Sequence, residues 1–277
     1  MKSANSAKAT RLGLATALSL LVASTGLRAA PEAKLLPHWQ QHAAASSATI
    51  DHDAWTRWLG DHVRAGSPNR IDYESVSSNQ IAALDDYLTH LQRTRISDFN
   101  RRQQKAFWLN LYNAATVRLV IRHAPVNSIR EIHGGLFNTG PWDEPLVSVE
   151  GRRLSLNDIE HGILRPIWQD PLIHYGVNCA SVGCPDLIDR AFTADTVNDA
   201  LRDNASRFIN SPRSVQFENG RLILSSIYKW FASDFGGTEA GVLAHLRRFA
   251  GPDLRARLES ASSIDDYRYD WSLNGLP

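Results

Sequence analysis

Apolar side chains recur every three or four residues along much of the chain, which is typical of helices that pack on a core. This spacing predicts helices over residues 51–64, 78–92, 156–164, 194–209, 226–231 and 238–249. A further helix, expected to open at Ser97, is apolar on almost every side from Ala106 to Ile121. Because a helix without a polar face is buried, we expect this one at the centre of the fold.

The strand signals are shorter. Two hairpins are indicated, residues 146–149 with 153–154 and residues 215–217 with 222–224, the second turning at Asn219-Gly220. Residues 173–177 alternate in polarity and predict a strand that leads into the loop with both cysteines. We therefore expect an α+β fold, a helix-rich single domain with a small mostly antiparallel sheet around a buried central helix. Its similarity in layout to papain and transglutaminase folds is analogy alone.

Three polar residues interrupt the central helix at successive steps of three: Asn110, Asn113 and Thr116. A buried amide without a hydrogen bond costs roughly 1–3 kcal/mol, so these side chains need partners. They either hold a neighbouring loop or line a cavity and contact a ligand. The first interpretation is favoured, and the second stays open.

The first residues of the chain predict an export signal. Basic residues precede an apolar run from Leu12 to Val22, which is shorter than the roughly 20 residues of a membrane-spanning helix. With cleavage after Ala29, we expect a signal peptide over residues 1–29, a flexible tail over 30–47 and a globular domain over 48–277. The expected location is the periplasm or the extracellular medium, with no transmembrane segment left after cleavage.

Composition excludes some partners. The net charge is +1, and no basic run is longer than two residues, which argues against a nucleic-acid surface. Apolar residues make up 43% and charged residues 21% of the chain, an ordinary globular content. The expected partner is an unknown small molecule or peptide, and no cofactor is expected.

Several sequence motifs follow one another across roughly residues 71–274. They are Ala106-Phe107-Trp108-Leu109-Asn110-Leu111-Tyr112-Asn113-Ala114, Leu154-Ser155-Leu156, Asp158-Ile159-Glu160-His161, Leu164-Arg165-Pro166, Ile173-His174, Asn178-Cys179-Ala180-Ser181, Gly183-Cys184-Pro185, Trp230-Phe231, Asp234-Phe235 and Tyr269-Asp270-Trp271-Ser272-Leu273-Asn274. In these motifs and their order the chain resembles the domain of unknown function 547 family. The resemblance implies no reaction, since the family's activity is not established.

Cysteine chemistry has two readings. In the first, Cys179 or Cys184 serves as a thiol nucleophile with His161 as base and Glu160 or Asp158 as the orienting carboxylate, which indicates a hydrolase or acyl transferase acting on a peptide or cell-envelope substrate. Alternatively, a disulfide closes the loop and constrains the unfolded chain by about 2 kcal/mol. On a regular strand, His174 would lie about 16 Å from Cys179.

Two further alternatives remain beside these. A zinc site of His161, His174, Cys179 and Cys184 is disfavoured, because the spacing fits no known finger or ribbon, and no metal is expected. A non-catalytic periplasmic binding module with a structural disulfide is the alternative function, because eight tryptophans suit an aromatic-lined cavity. The expected site is a single cleft with Trp142 at its rim, and Asp234 is assigned to a helix stop. The candidate ligand-contacting residues are Asn110, Asn113, Trp142, His174, Asn178 and Ser181.

Overall fold

The computed structural model describes residues 31–132 and 140–276, and helices dominate these two ranges. The predicted helix-rich α+β class is confirmed. The helices are α1 Asp53–His62, α2 Ser78–Arg93, α3 Arg101–His123, α4 Arg165–Trp168, α5 Val197–Ile209, α6 Ile227–Trp230, α7 Glu239–Phe249 and α8 Pro252–Glu259.

The strands form three small sheets rather than one. The first two are the antiparallel pairs β1–β2 and β3–β4, and the third has the order β5-β6-β7, in which β7 runs parallel to β6. Both predicted hairpins are present, as β3–β4 and β5–β6. The strands are β1 Val63–Arg64, β2 Arg70–Ile71, β3 Val147–Val149, β4 Arg152–Leu154, β5 Val215–Glu218, β6 Arg221–Ser225 and β7 Asp266–Arg268.

Helix α3 is the central element, as predicted, and is buried almost continuously from Gln103 to Val117. Its predicted start at Ser97 is wrong, because Ser97 lies in a separate 3-10 helix, Ile96–Asp98. The side chain of Asn100 accepts hydrogen bonds from the backbone N–H groups of residues 102 and 103 and caps α3 instead. Helix α2 packs against both α1 and α3.

The helix predicted over residues 156–164 is a π-helix, Asp158–Leu164, which runs directly into α4. Pro166 therefore lies within a continuous helical segment. It has no N–H group, so one helical carbonyl loses its donor, and the change from π-helical to α-helical spacing at this point leaves a second carbonyl without one. The backbone N–H groups of Lys34 and Leu36 bond these two carbonyls, those of His161 and Gly162, each at 2.9 Å.

These bonds correct the prediction of a flexible tail over residues 30–47. Residues Lys34 and Leu36 bond the π-helix, a 3-10 helix follows at Pro37–Gln40, and Trp39 is buried against Trp108 of α3. The prediction rested on polar, alanine-rich composition. The segment is packed because Pro166 and the change of helical spacing leave backbone acceptors for it.

The strand predicted over residues 173–177 is wrong. Residues Pro171–Tyr175 form a 3-10 helix instead, whose first turn is capped by the side chain of Asp170 bonded to the N–H of Leu172. An Asx cap followed by proline favours a helical turn over extended backbone. The alternation of polarity reflects burial on every side, since all residues from 172 to 178 are buried.

The C-terminal residues pack back onto the domain. Backbone N–H groups of Leu273, Asn274 and Leu276 bond the carbonyls of Asn127, Ala180 and Ile71 at 2.7, 3.0 and 2.9 Å. This segment therefore lies across the loop that carries the cysteines.

Two sequence predictions lie outside the described residues. These are the signal peptide over residues 1–29 and residues 133–139 of the glycine-rich loop. Within the two ranges that are described, no helix combines the length and the hydropathy that crossing a bilayer requires.

Candidate functional site

The two asparagines of α3 hold loops. Asn110 donates to the carbonyl of Phe192 at 2.8 Å and accepts from its N–H at 3.0 Å. Asn113 donates to the carbonyl of Gly176 at 2.8 Å and accepts from the N–H of Asn178 at 2.9 Å. These are the bonds that the loop-holding interpretation of the two asparagines predicts. Thr116 bonds the carbonyl of Tyr112 within its own helix.

Asn178 begins the cysteine loop and is itself an architectural residue. Its side chain donates to the carbonyl of Pro185 at 2.8 Å and accepts from the N–H of Ala180 at 3.0 Å. Ala180 is fully buried with φ of 60°, a left-handed conformation that is strained for a residue with a Cβ. The loop thus holds an unfavourable backbone conformation through a dense set of contacts.

Cys179 and Cys184 form a disulfide, so neither sulfur is a thiolate nucleophile in this state. The hydroxyl of Tyr269 lies 3.2 Å from both sulfurs, and that of Ser181 lies 3.1 Å from Cys179 Sγ. Tyr269 and Ser181 also bond each other at 2.8 Å. Burial raises the pKa of the Tyr269 hydroxyl well above its usual value, so it stays protonated.

Glu160 is the centre of a second polar cluster, on the π-helix. Its side chain is only 10% exposed, and its Oε1 lies 3.8 Å from Nδ1 of both His161 and His174. Burial raises the pKa of this carboxyl, while nearby His174, Arg165 and the Tyr112 hydroxyl oppose that rise. π-Helices are rare and occur frequently at functional sites.

Asp234 binds this cluster from the other side. Its carboxylate accepts two hydrogen bonds from the Arg165 guanidinium, at 2.6 and 3.1 Å, and one from His174 Nε2 at 2.7 Å. Burial alone would raise the pKa of Asp234, but the bonds from His174 and Arg165 outweigh it and hold the pKa below its usual range. His174 therefore bridges Asp234 and Glu160.

His161 is held neutral. Burial, together with the charge of Arg165, lowers its pKa to about 3. Arg165 Nη1 donates to His161 Nδ1 at 3.1 Å, so this nitrogen carries the lone pair. His161 cannot then pair with Glu160 as an imidazolium at neutral pH, and with so low a pKa it is a weak proton acceptor.

Four aromatic rings form a cluster beside the disulfide, the aromatic rim: Trp142, Trp230, Tyr269 and Trp271. Trp271 contacts Trp142, Trp230 and Tyr269 with ring centroids 5.7, 5.6 and 4.6 Å apart, and all four rings are half-buried. Tyr269 lies near enough to Glu160 for the carboxylate's charge to act on its pKa. The rim thus joins the Glu160 cluster to the disulfide loop.

The structure brings together part of the residue set that the sequence predicts for one site. Glu160, His161 and His174 lie together, and Trp142 contacts Trp271, which packs on Tyr269 beside the disulfide and Ser181. Asn110, Asn113 and Asn178 stand behind this assembly, holding its loops. The separation of about 16 Å expected between His174 and Cys179 applies to a regular strand. His174 lies in a 3-10 helix instead, so that separation does not apply.

Sequence reasoning missed five residues: Tyr112, Trp230, Asp234, Tyr269 and Trp271. Their only signal was membership of the motifs that carry the family resemblance. No group of three or more potential metal-ligating side chains occurs in residues 31–132 and 140–276. A shallow groove of about 480 Å³ lies elsewhere, between Phe217, Leu222 and Arg257, and includes none of these side chains.

These observations define the class of the protein: a helix-rich α+β domain with a buried acid–histidine cluster beside a disulfide loop. Residues 96–209 match the model of the family described as "Protein of unknown function, DUF547", which supports assigning this segment to that family. The match includes α3, the π-helix and the disulfide, whereas Asp234, Tyr269 and Trp271 lie beyond it. Neither the curated proteins nor the solved structures yielded a match.

Proposed function

We propose that the protein is an exported binding protein that takes an amide-bearing ligand, a peptide or a peptide-containing cell-envelope fragment, between the aromatic rim and Glu160. The observation that carries this proposal is the Glu160 carboxyl. Its side chain is only 10% exposed, the Tyr112 hydroxyl bonds it, and both flanking imidazole nitrogens are 3.8 Å away, beyond hydrogen-bonding distance.

The aromatic rim and the Glu160 carboxyl together favour one class of ligand. Half-exposed tryptophans offer flat apolar faces that stack on rings or on apolar side chains. A carboxyl with a raised pKa can donate a hydrogen bond when protonated and accept one when ionised. An amide carries one acceptor and one donor side by side, and it therefore complements this group in either state.

Binding is tested by quenching of tryptophan fluorescence with soluble peptidoglycan fragments released from cell walls by a muramidase. We expect saturable quenching, with affinity lost by tenfold or more in Trp271→Ala and in Glu160→Gln. Trp168→Ala is the matched control, because Trp168 is also half-buried but contacts Arg101 rather than the rim. Absence of saturable quenching by every fragment would exclude this ligand class.

Hydrolysis of the same ligand is the second candidate, favoured by the Asp234–His174–Glu160 arrangement. In this reaction Glu160 takes a proton from water as the water adds to the amide carbonyl, and returns it to the leaving amine. A thiol-dependent route would need Cys179 as a free thiolate, which the disulfide withholds. The two candidates separate on turnover, since Glu160→Gln would abolish release of new amino groups from bound fragments.

A further inference from the structure

We propose that the Cys179–Cys184 disulfide is redox-active and exchanges two electrons with a dithiol partner, a protein or a small molecule, while the domain stays folded. The first observation is the difference between the two sulfur-bearing side chains. Cys179 is half-buried, whereas Cys184 is only 6% exposed. An incoming thiolate therefore reaches Cys179 first, and Cys184 becomes the leaving group.

The second observation is the set of hydrogen-bond donors on the leaving sulfur. Cys184 Sγ accepts from the backbone N–H of Cys179 at 3.0 Å and from the Tyr269 hydroxyl at 3.2 Å. Donors of this kind stabilise a thiolate, and a stabilised leaving thiolate speeds exchange.

The third observation is that other contacts already hold the loop. Val182 and Gly183 donate backbone hydrogen bonds to the carbonyls of Ser272 and Asp270, both at 2.8 Å. Arg213 bonds the carbonyls of Val182 and Cys184 at 2.9 and 2.7 Å. The loop therefore keeps its position when the bridge opens, which permits a reversible cycle.

The exchange balances in two steps. A thiolate of the partner attacks Cys179 Sγ, the Sγ–Sγ bond breaks, and Cys184 leaves as a thiolate that receives the hydrogen bonds from Tyr269 and the Cys179 N–H. The partner's second thiolate then attacks its own sulfur in the mixed disulfide. The Cys179 thiolate departs and is protonated, and the partner is left oxidised by two electrons.

The test measures reduction of the purified protein by dithiothreitol without denaturant, followed by alkylation in denaturant and intact mass. We expect no label before reduction and two labels after it, with circular dichroism unchanged and full reoxidation on removal of the reductant. Tyr269→Phe should slow reduction by about fivefold, the worth of one hydrogen bond to the leaving thiolate. Tyr267→Phe is the matched control, because Tyr267 lies two residues away and stacks with Lys229.

A second measurement compares the two single-cysteine variants. In Cys184→Ser, the remaining Cys179 should form a mixed disulfide with an aromatic disulfide reagent at least tenfold faster than Cys184 does in Cys179→Ser. Reduction that requires denaturant, wild-type rates in Tyr269→Phe, or faster reaction at Cys184 would each overturn the proposal. Because these readouts count thiols, they do not depend on the ligand proposed for Glu160.

Discussion

The amides of α3 and the carboxyl of Glu160 are both buried polar groups, but the protein treats them in opposite ways. Asn110 and Asn113 each exchange two bonds of 2.8–3.0 Å with a loop backbone. Glu160 faces two imidazole nitrogens at 3.8 Å, and burial raises the pKa of its carboxyl.

The difference separates architecture from a site. A saturated amide lowers the free energy of the fold and fixes where a loop lies. A buried carboxyl whose pKa stays raised despite a hydrogen bond from the Tyr112 hydroxyl is unfavourable for folding alone, and such groups concentrate where a ligand or a reaction uses them. The same helix layer therefore contains both the support of the site and its chemistry.

The largest expected effect comes from breaking the support. Asn113→Ala leaves the carbonyl of Gly176 and the N–H of Asn178 without partners, so we expect the free energy of unfolding to fall by about 4 kcal/mol. Urea denaturation followed by circular dichroism measures it. In the control Asn157→Ala, whose amide bonds Asp143 at the surface, the loss should stay below about 0.5 kcal/mol. A loss in Asn113→Ala as small as the control's would contradict the architectural role.

An intermediate effect is expected at His52, a buried group that is only half satisfied. Its Nδ1 bonds the Tyr87 hydroxyl at 2.7 Å, whereas its Nε2 is buried without a partner. Burial, with the nearby charge of His90, lowers its pKa to about 4 from an unfolded value near 6.5. Above pH 6.5, His52 is neutral in both the folded and the unfolded protein, so it does not make stability depend on pH. As pH falls from 6.5 towards 4, His52 becomes protonated in the unfolded chain but stays neutral in the folded protein.

The stability of the wild type relative to His52→Gln should thus fall by about 1.6 kcal/mol between pH 6.5 and pH 5, because the slope rises from about half of 1.4 kcal/mol per pH unit at pH 6.5 to nearly the full value at pH 5. Urea titrations at both pH values give the difference. An equal pH dependence in the two proteins would show that His52 takes up its proton while folded.

The smallest effect on stability is expected at the site itself. Since the folded pKa of Glu160 is raised, its contribution is favourable below its unfolded pKa and is lost as pH rises through the folded pKa. The Glu160→Gln variant has no carboxyl to ionise and avoids that loss. At pH 8 the free energy of unfolding of this variant should therefore equal the wild type's or exceed it by up to about 0.5 kcal/mol. Thermal denaturation at pH 5 and pH 8 measures it. Strong destabilisation at pH 8 would place Glu160 with the architectural amides.

Local patterns along the chain determined most of the elements. The apolar run of α3, the two hairpins and the amides that need partners follow from periodicity, turn residues and the cost of a buried polar group, each of which acts over a few residues. The same reasoning singled out Glu160, His161 and the cysteine loop as chemistry-bearing positions. It failed at residues 173–177, where burial on every side imitates the alternation of a strand.

Only the tertiary structure brought Asp234, Tyr269 and Trp271 to the site, and only it joined the cysteines and ordered residues 34–40. These outcomes depend on pairings between residues more than 50 positions apart, or, for the bridge, on the exact path of a loop. Asp234 meets Arg165 and His174, Tyr269 meets the disulfide, and Lys34 meets a carbonyl that a proline leaves free. Sequence patterns indicate which polar groups need hydrogen-bond partners, whereas the tertiary fold determines which distant residues supply those partners.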